Sequence, residues 1–418
     1  MKKIIISSML GNCLEWYDFI IYAQLSSIIS LLFFPNHSES LAMISTFGIF
    51  AVGFMSRPLG GIILGFVGDK SGRKTALFIS MLLMAISTFS IGLIPNFEQI
   101  GVAAPILLVI MRLIQGLSMG GESGGSFTFV GEHAPSKNKG FYIGLFQSST
   151  FAGILLGSLV IYLITHMLSE EDLLGWGWKI PFFLGGVVGF VGFYIRKVLT
   201  ESSEFTKAKK SKQIVVNPMQ ELFKSYKMPL FLSSSILIFA VIGSFVLTIF
   251  LQNYFIKIHR FDVVEILAFN SLALVIALIS SIASGYFSDK YGKLKIMSIA
   301  ATIMIIAIYP FVCLLKTDSS AYNYLAQIFL AIIVGVYTGP VYAVILAFYK
   351  ANVRFSAMTL IINIVATCFG GTIPVLSFWL IDKFGKNLAL DFIGLYMALA
   401  SVFALYGINK IEKYKLSN

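Results

Sequence analysis

Long apolar runs follow one another along the whole chain, separated by short clusters of charged residues, Pro and Asn. A helix needs about 20 apolar residues to cross hydrocarbon. The pattern predicts twelve such spans, at 4–33, 40–67, 74–95, 103–131, 140–166, 179–199, 228–255, 263–287, 295–315, 321–349, 354–381 and 388–409. The breaks carry turn or charge signals, at Pro35-Asn36, Asp69 to Lys74, Pro95-Asn96, Pro135 to Lys139 and Ser169 to Asp172. The longest polar stretch, 200–227, reads as a cytoplasmic linker between an N-terminal six-helix bundle (1–199) and a C-terminal one (228–418). The fold class that follows is all-α and integral to a membrane, with twelve transmembrane helices in two six-helix bundles.

Composition narrows this further. Hydrophobic residues make up 57% and charged ones 12%, where a soluble domain carries about 25% charged. Membrane spans therefore use up the chain, and no separate soluble domain is expected. The net charge of +11 lies in short gaps between apolar runs instead of on one stripe, so it speaks for topology and against a nucleic-acid partner. Of 31 basic residues, 23 fall on the side of the N-terminus and six, including Lys257 and Arg260, on the other, with Arg57 and Arg112 inside spans. Both termini are thus expected in the cytoplasm. The first apolar run is too long for the core of a cleavable signal peptide. Cys13, Cys313 and Cys368, and His37, His133, His166 and His259, are scattered, so neither a metal nor a cofactor is expected.

One segment is repeated. Gly65-Phe-Val-Gly-Asp69-Lys70-Ser-Gly72-Arg73-Lys74 is echoed 220 residues on by Gly285-Tyr-Phe-Ser-Asp289-Lys290-Tyr-Gly292-Lys293. Each copy follows the second span of its half, on the same side. Parallel repeats with a solute site at their interface suit alternating access by rocking of two bundles. Glycines let the chain turn within a few residues. Asp69 is placed to cap a helix N-terminus, while Arg73 and Lys74 favour the anionic inner leaflet. A topogenic loop accounts for the motif too, but its repetition favours a gate.

A charge at the bilayer centre costs about 2.5–3.5 kcal/mol even on lenient scales. Five stand inside the N-terminal spans: Glu15, Asp18, Arg57, Arg112 and Glu122. At 1.5 Å per residue, Glu15, Arg57 and Glu122 each lie roughly 15–17 Å from the inner end of their helices. They are expected to form one cluster, with Asp18 and Arg112 further out. A carboxylate that loses and regains an arginine partner would bind and release a proton; a static ion pair is the plainer reading. Gly60 and Gly61 after Pro58, and Gly116, Gly120, Gly121, Gly124 and Gly125, allow close helix approach. Tyr17 and Tyr22 beside the acids, and Asn270, Gln327, Tyr337, Tyr342 and Asn363 in the second half, are candidate substrate-facing groups, each also readable as helix-packing glue.

These stretches resemble a known family. The Asp69-Lys-x-Gly72-Arg73-Lys74 loop and its echo are similar to the signature of the major facilitator superfamily. Glu15-Trp-Tyr-Asp18-Phe, Arg57-Pro-Leu-Gly-Gly and Arg112-x-x-Gln115-Gly116-x-x-x-Gly120-Gly121-Glu122 resemble its metabolite:proton symporters, among them proline/betaine, α-ketoglutarate, citrate and shikimate transporters. The resemblance implies proton-driven uptake across a bacterial inner membrane. It also implies a role in proton movement for Arg112 and Gln115, and an inner-loop motif in Glu132 and Lys139. Arg354 matches the loop between spans ten and eleven, but Ala347 stands where the family has a glutamate, so a weaker second gate is expected. Osmosensing members can carry a coiled-coil tail; here the sequence ends at Asn418 soon after the last span, so sensing through such a tail is not expected.

The function expected is symport of a proton with a small solute, by a monomer surrounded by lipid. Two arginines against three acids sum to −1, which suits a zwitterion of the proline/betaine type. A dicarboxylate symporter is the alternative. A drug/proton antiporter is disfavoured because 140–166 lacks the Gly-Pro pair of such exporters. A channel fits intramembrane ion pairs in two repeats poorly, and no catalytic motif sits at a span mouth to suggest an enzyme.

Overall fold

In the computed structural model, residues 2–36, 39–197, 200–211, 215, 217–259 and 263–417 are described. His37, Arg260 and the last two residues of the expected sixth span, 198–199, lie outside them. With no water to satisfy backbone groups in hydrocarbon, a span must be helical, and among the described residues eleven helices are long and apolar enough to cross a membrane. They are Lys3–Gln24, Gly48–Lys70, Arg73–Leu93, Ala103–His133, Ser136–Met167, Gly177–Lys197, Lys227–Tyr254, Glu265–Tyr291, Lys293–Lys316, Ser320–Leu346 and Trp379–Lys413. In the eleventh expected position stands a shorter apolar helix, Arg354–Gly370, which ends in π-helical Ala366–Gly370. Helix resumes over Ile373–Ser417 and is broken once by Gly385, at φ 77°. That kink falls in the break expected between 381 and 388 and completes the twelve-helix plan.

The repeated segment has the same local geometry in both copies. Gly72 (φ 123°) and Gly292 (φ 100°) each cap the N-terminus of the next helix, Arg73–Leu93 and Lys293–Lys316. Residues with a Cβ rarely adopt such angles. Large apolar side chains point outward along the spans, among them Met55, Leu59, Ile306 and Tyr309. Apolar exposure on this scale marks a surface meant for lipid.

Contacts divide the chain into two units. One holds Met1–His133, Ser149–Met219 and Ala351–Asn363; the other holds Ala134–Ser148, Gln220–Lys350 and Ile364–Asn418. The first contains Glu15, Asp18, Arg57, Arg112 and Glu122. In the second, the seventh span is interrupted by π-helical Val246–Phe250 and Phe255–His259, either side of Leu251–Tyr254. Such bulges free backbone groups and are frequent at functional sites.

Candidate functional site

The second and fourth spans cross with their backbones nearly touching. A Cβ on Gly60 would lie 2.1 Å from the Leu117 carbonyl oxygen, and one on Gly120 would lie 2.2 Å from that of Arg57. Only glycine fits at either position, and the close approach sets Arg57 against the fourth span.

There Arg57 meets Glu15 of the first span. Its Nη2 lies 3.3 Å from Glu15 Oε1 and 3.1 Å from Ser123 Oγ, and Ser123 donates in turn to the same Glu15 oxygen. Arg57 Nε donates to Asn363 Oδ1 at 3.1 Å. Glu15 is fully buried, and its Oε2 accepts no hydrogen bond among the described residues. The expected pairing of Glu15 with Arg57 is therefore present.

Glu122 does not join it. Both of its oxygens are taken by Arg196, from the last turn of the sixth span, and also by Ser80 and Ser126. Arg196 Nη1 donates further to the Leu77 carbonyl at 2.8 Å. A Cβ on Gly11 would collide with both partners. The single Glu15–Arg57–Glu122 cluster expected from depth is corrected to two separate pairs. Arg196 is one of the 23 basic residues counted on the side of the N-terminus, and that count missed it as the second partner: its Cα sits near the helix end, but its long stem carries the guanidinium inward. With Arg196 counted, the three carboxylates Glu15, Asp18 and Glu122 stand against the three guanidiniums Arg57, Arg112 and Arg196.

Asp18 forms the third group. Its Oδ2 accepts from Thr88 Oγ1 at 2.8 Å and from Gln115 Nε2, while Oδ1 has no partner among the described residues. Arg112 lies with its guanidinium carbon 3.6 Å from the centre of the Tyr22 ring. Its Nε and Nη2 are buried without a hydrogen-bond partner among the described residues. Buried polar groups are normally satisfied. Among the described residues, Glu15 and Asp18 thus each keep one oxygen open and Arg112 keeps two donors open, whereas Glu122 is bonded at both oxygens. An open oxygen on a buried carboxylate is a seat for a proton; open donors on a guanidinium are a seat for an anionic group.

At the end of these helices that bears the repeated loop, Arg73 is completely buried. It meets Asp69 at 3.1 Å and Glu132 at 3.1 and 3.2 Å, and its guanidinium packs over the Phe205 ring. Arg354 pairs with Glu132 at 3.1 Å and also with Glu204. Asp69 accepts from the backbone nitrogens of Phe355 and Ser356, at 3.2 and 2.8 Å. Glu204 and Phe205 belong to the short helix Ser203–Lys210, within the stretch read only as linker, and nothing in their sequence spacing marks them. In the other unit, Asp289 repeats the capping role, accepting from the backbone of Gly140 and Phe141 at 2.9 and 2.8 Å and pairing with Lys293 at 2.7 Å. Lys139 opens the helix Lys139–Met167.

The neutral candidates divide. Tyr17 donates to the Pro181 carbonyl, Tyr22 to that of Thr46 and Tyr337 to that of Ile236, which are helix-packing contacts. Tyr342 is buried. Gln327 donates to Asn270 at 3.0 Å, and Asn270 to Gln252 at 3.3 Å. This amide chain leads to the stretch between the two π segments. Asn363 is fully buried, with its oxygen on Arg57 and its nitrogen on the carbonyls of Gly120 and Thr359.

Comparison with known proteins agrees with this architecture. The sequence profile of the Major Facilitator Superfamily matches residues 18–373. A putative proline/betaine transporter of Staphylococcus aureus (strain MSSA476) is 31% identical, over 93% of this chain and 84% of the relative. The glycine betaine/proline/ectoine/pipecolic acid transporter OusA of Dickeya dadantii is 30% identical, over 97% of this chain and 82% of the relative. Among solved structures, the proton:xylose symporter XylE bound to 6-bromo-6-deoxy-D-glucose superposes with a TM-score of 0.77 at 18% identity, covering 96% of this chain and 94% of that one.

Proposed function

The chain belongs to the Major Facilitator Superfamily, and on that premise we propose that it is a proton-coupled symporter importing a small zwitterionic or carboxylate solute of the proline/betaine type. The family and its relatives are transporters and not enzymes. The observation that carries the reading is the pair of buried carboxylates, Glu15 and Asp18, each with one open oxygen and each beside an arginine. Such a group can be neutral in one conformer and charged in the other, which is what proton coupling requires.

Arg57, Arg112 and Gln115 tune and orient these two acids, while the saturated Glu122 holds the fourth and sixth spans together. The two six-helix bundles, 1–199 and 228–418, rock about the linker 200–227. The loops carrying Asp69, Arg73, Glu132, Lys139, Asp289, Lys293 and Arg354 open and close the inner face. The protein works as a monomer in the lipid of a bacterial inner membrane, with both termini in the cytoplasm. The balanced intramembrane charge supports a zwitterion, and the relatives named for proline and betaine transport point the same way. The open donors of Arg112 favour a dicarboxylate as the second reading.

Vesicles with an imposed pH gradient test both. Accumulation of proline or glycine betaine, abolished by a protonophore, is the expected result. Accumulation of α-ketoglutarate or citrate alone would give the site to a dicarboxylate. Flux that neither saturates nor responds to the gradient would end the symport reading.

A further inference from the structure

We propose that Asn363 is the positioning residue through which the helix Arg354–Val365 responds to the charge on Glu15, an inference that rests on the proton-symport reading above. This helix lies against the second and fourth spans at backbone distance. A Cβ on Gly124 would come within 2.4 Å of Thr359 N, and one on Gly61 within 3.1 Å of the Thr359 carbonyl oxygen. Thr359 Oγ1 donates to the Gly61 carbonyl at 2.9 Å, and Asn363 Nδ2 to the Gly120 carbonyl at 2.7 Å. Those bonds end on backbone oxygens and do not change when a side chain titrates.

The Asn363 oxygen is different. It receives Nε of Arg57, whose Nη2 holds Glu15, so one guanidinium joins the acid to the helix. Among the described residues, the ion pairs of this helix lie at Arg354, about 13 Å away along the axis. The charges facing Glu15 are Arg57 from the second span, Glu122 from the fourth and Arg196 from the sixth, and the last two neutralise each other. Arg57 is therefore what feels a proton arriving on Glu15. While Glu15 is ionised, the guanidinium is pinned with its Nε edge toward Asn363. Once Glu15 is neutral its charge no longer holds the guanidinium, Nη2 keeps only neutral partners such as Ser123, and the tie to Asn363 loosens. A neutral amide suits this role, because a carboxylate there would hold Arg57 whatever the state of Glu15, and an alkyl group would never hold it.

The test needs no knowledge of the solute. Met358, buried in the same helix, is replaced by cysteine as a reporter in the full chain with the three native cysteines changed to serine. Labelling by an impermeant maleimide is followed in inside-out vesicles at alkaline and acid pH, each rate being divided by that of a free thiol at the same pH because the thiolate is the nucleophile. The reporter alone should label slowly at alkaline pH and faster at acid pH, and Glu15→Gln should label fast at both. Asn363→Ala should be fast at both, about tenfold above the reporter at alkaline pH, the scale of one lost hydrogen bond to a buried charge. Asn363→Asp should be slow at both, so the two variants move in opposite directions and a general loss of folding cannot produce the pattern. If both follow the pH course of the reporter, the proposal is wrong and the symport reading stands. If the reporter ignores pH and Glu15→Gln labels like it, coupling through Glu15 fails and the proposal fails with it.

Discussion

The two terminal nitrogens of Arg196 donate to the two oxygens of Glu122, joining the last turn of the sixth span to the middle of the fourth. Both side chains are buried, with side-chain exposures of 3% and 4%. Removing one partner of such a pair strands a charge and costs about 3–5 kcal/mol, whereas replacing both with apolar groups of similar volume is often neutral. Arg196→Met and Glu122→Met should each lower the melting temperature of the detergent-solubilised protein substantially. The double variant should recover most of the loss. Singles that melt like the parent would show that the pair does not hold these helices.

Glu15 and Asp18 have a different expected signature, because each keeps an open oxygen. A pH difference of one unit is worth about 1.4 kcal/mol and can concentrate a solute about tenfold through one coupled proton. Glu15→Gln and Asp18→Asn should bring that ratio down to about one in proteoliposomes while solute exchange across the membrane persists, since exchange needs no net proton movement. Exchange lost along with accumulation would instead assign these residues to solute binding or folding.

The repeated loop gives an asymmetric pair of substitutions. Gly72 and Gly292 both stand at positive φ with extended ψ, where a Cβ costs on the order of 1–3 kcal/mol. A Cβ at Gly72 would also press within 2.3 Å of Glu201 Oε2, while at Gly292 the nearest atom is 3.9 Å away. Gly72→Ala should therefore destabilise more than Gly292→Ala, and Glu201→Ala should narrow the gap. Equal losses in thermal unfolding would mean that the backbone angle alone decides.

What the sequence revealed follows from which forces are local. The spans were legible because hydrocarbon forces every backbone group into its own helix, so apolar length alone marks a span. Arg57 and Glu15 were legible because charges at equal depth must find each other. Arg196 was not, because its place in the chain says where the Cα lies and not where six further bonds carry the guanidinium. Glu204, Phe205 and the Arg57 contact of Asn363 are joined only by tertiary packing across 130 residues or more of chain. The break after Gly370 was hidden too, since two glycines and a threonine inside an apolar run look like continued span.

The network around Glu132 separates a buried from a peripheral ion pair on one arginine. Glu132 is completely buried at the side chain and serves both Arg73, equally buried, and Arg354. Glu204 also binds Arg354 but keeps 35% of its side chain exposed. Glu132→Gln leaves the Arg73 guanidinium with Asp69 as its carboxylate partner in a dry site and should cost about 1.5–3 kcal/mol, the scale of a hydrogen bond to a buried charge. Glu204→Gln removes a contact that water and salt already screen, so about 1 kcal/mol or less is expected. Thermal unfolding at low and high salt distinguishes them: the Glu204→Gln deficit should shrink in high salt, while the Glu132→Gln deficit should persist. Persistence of both would mean that the short helix Ser203–Lys210 shields Glu204 and belongs to the buried network, so that the linker would be part of the inner gate.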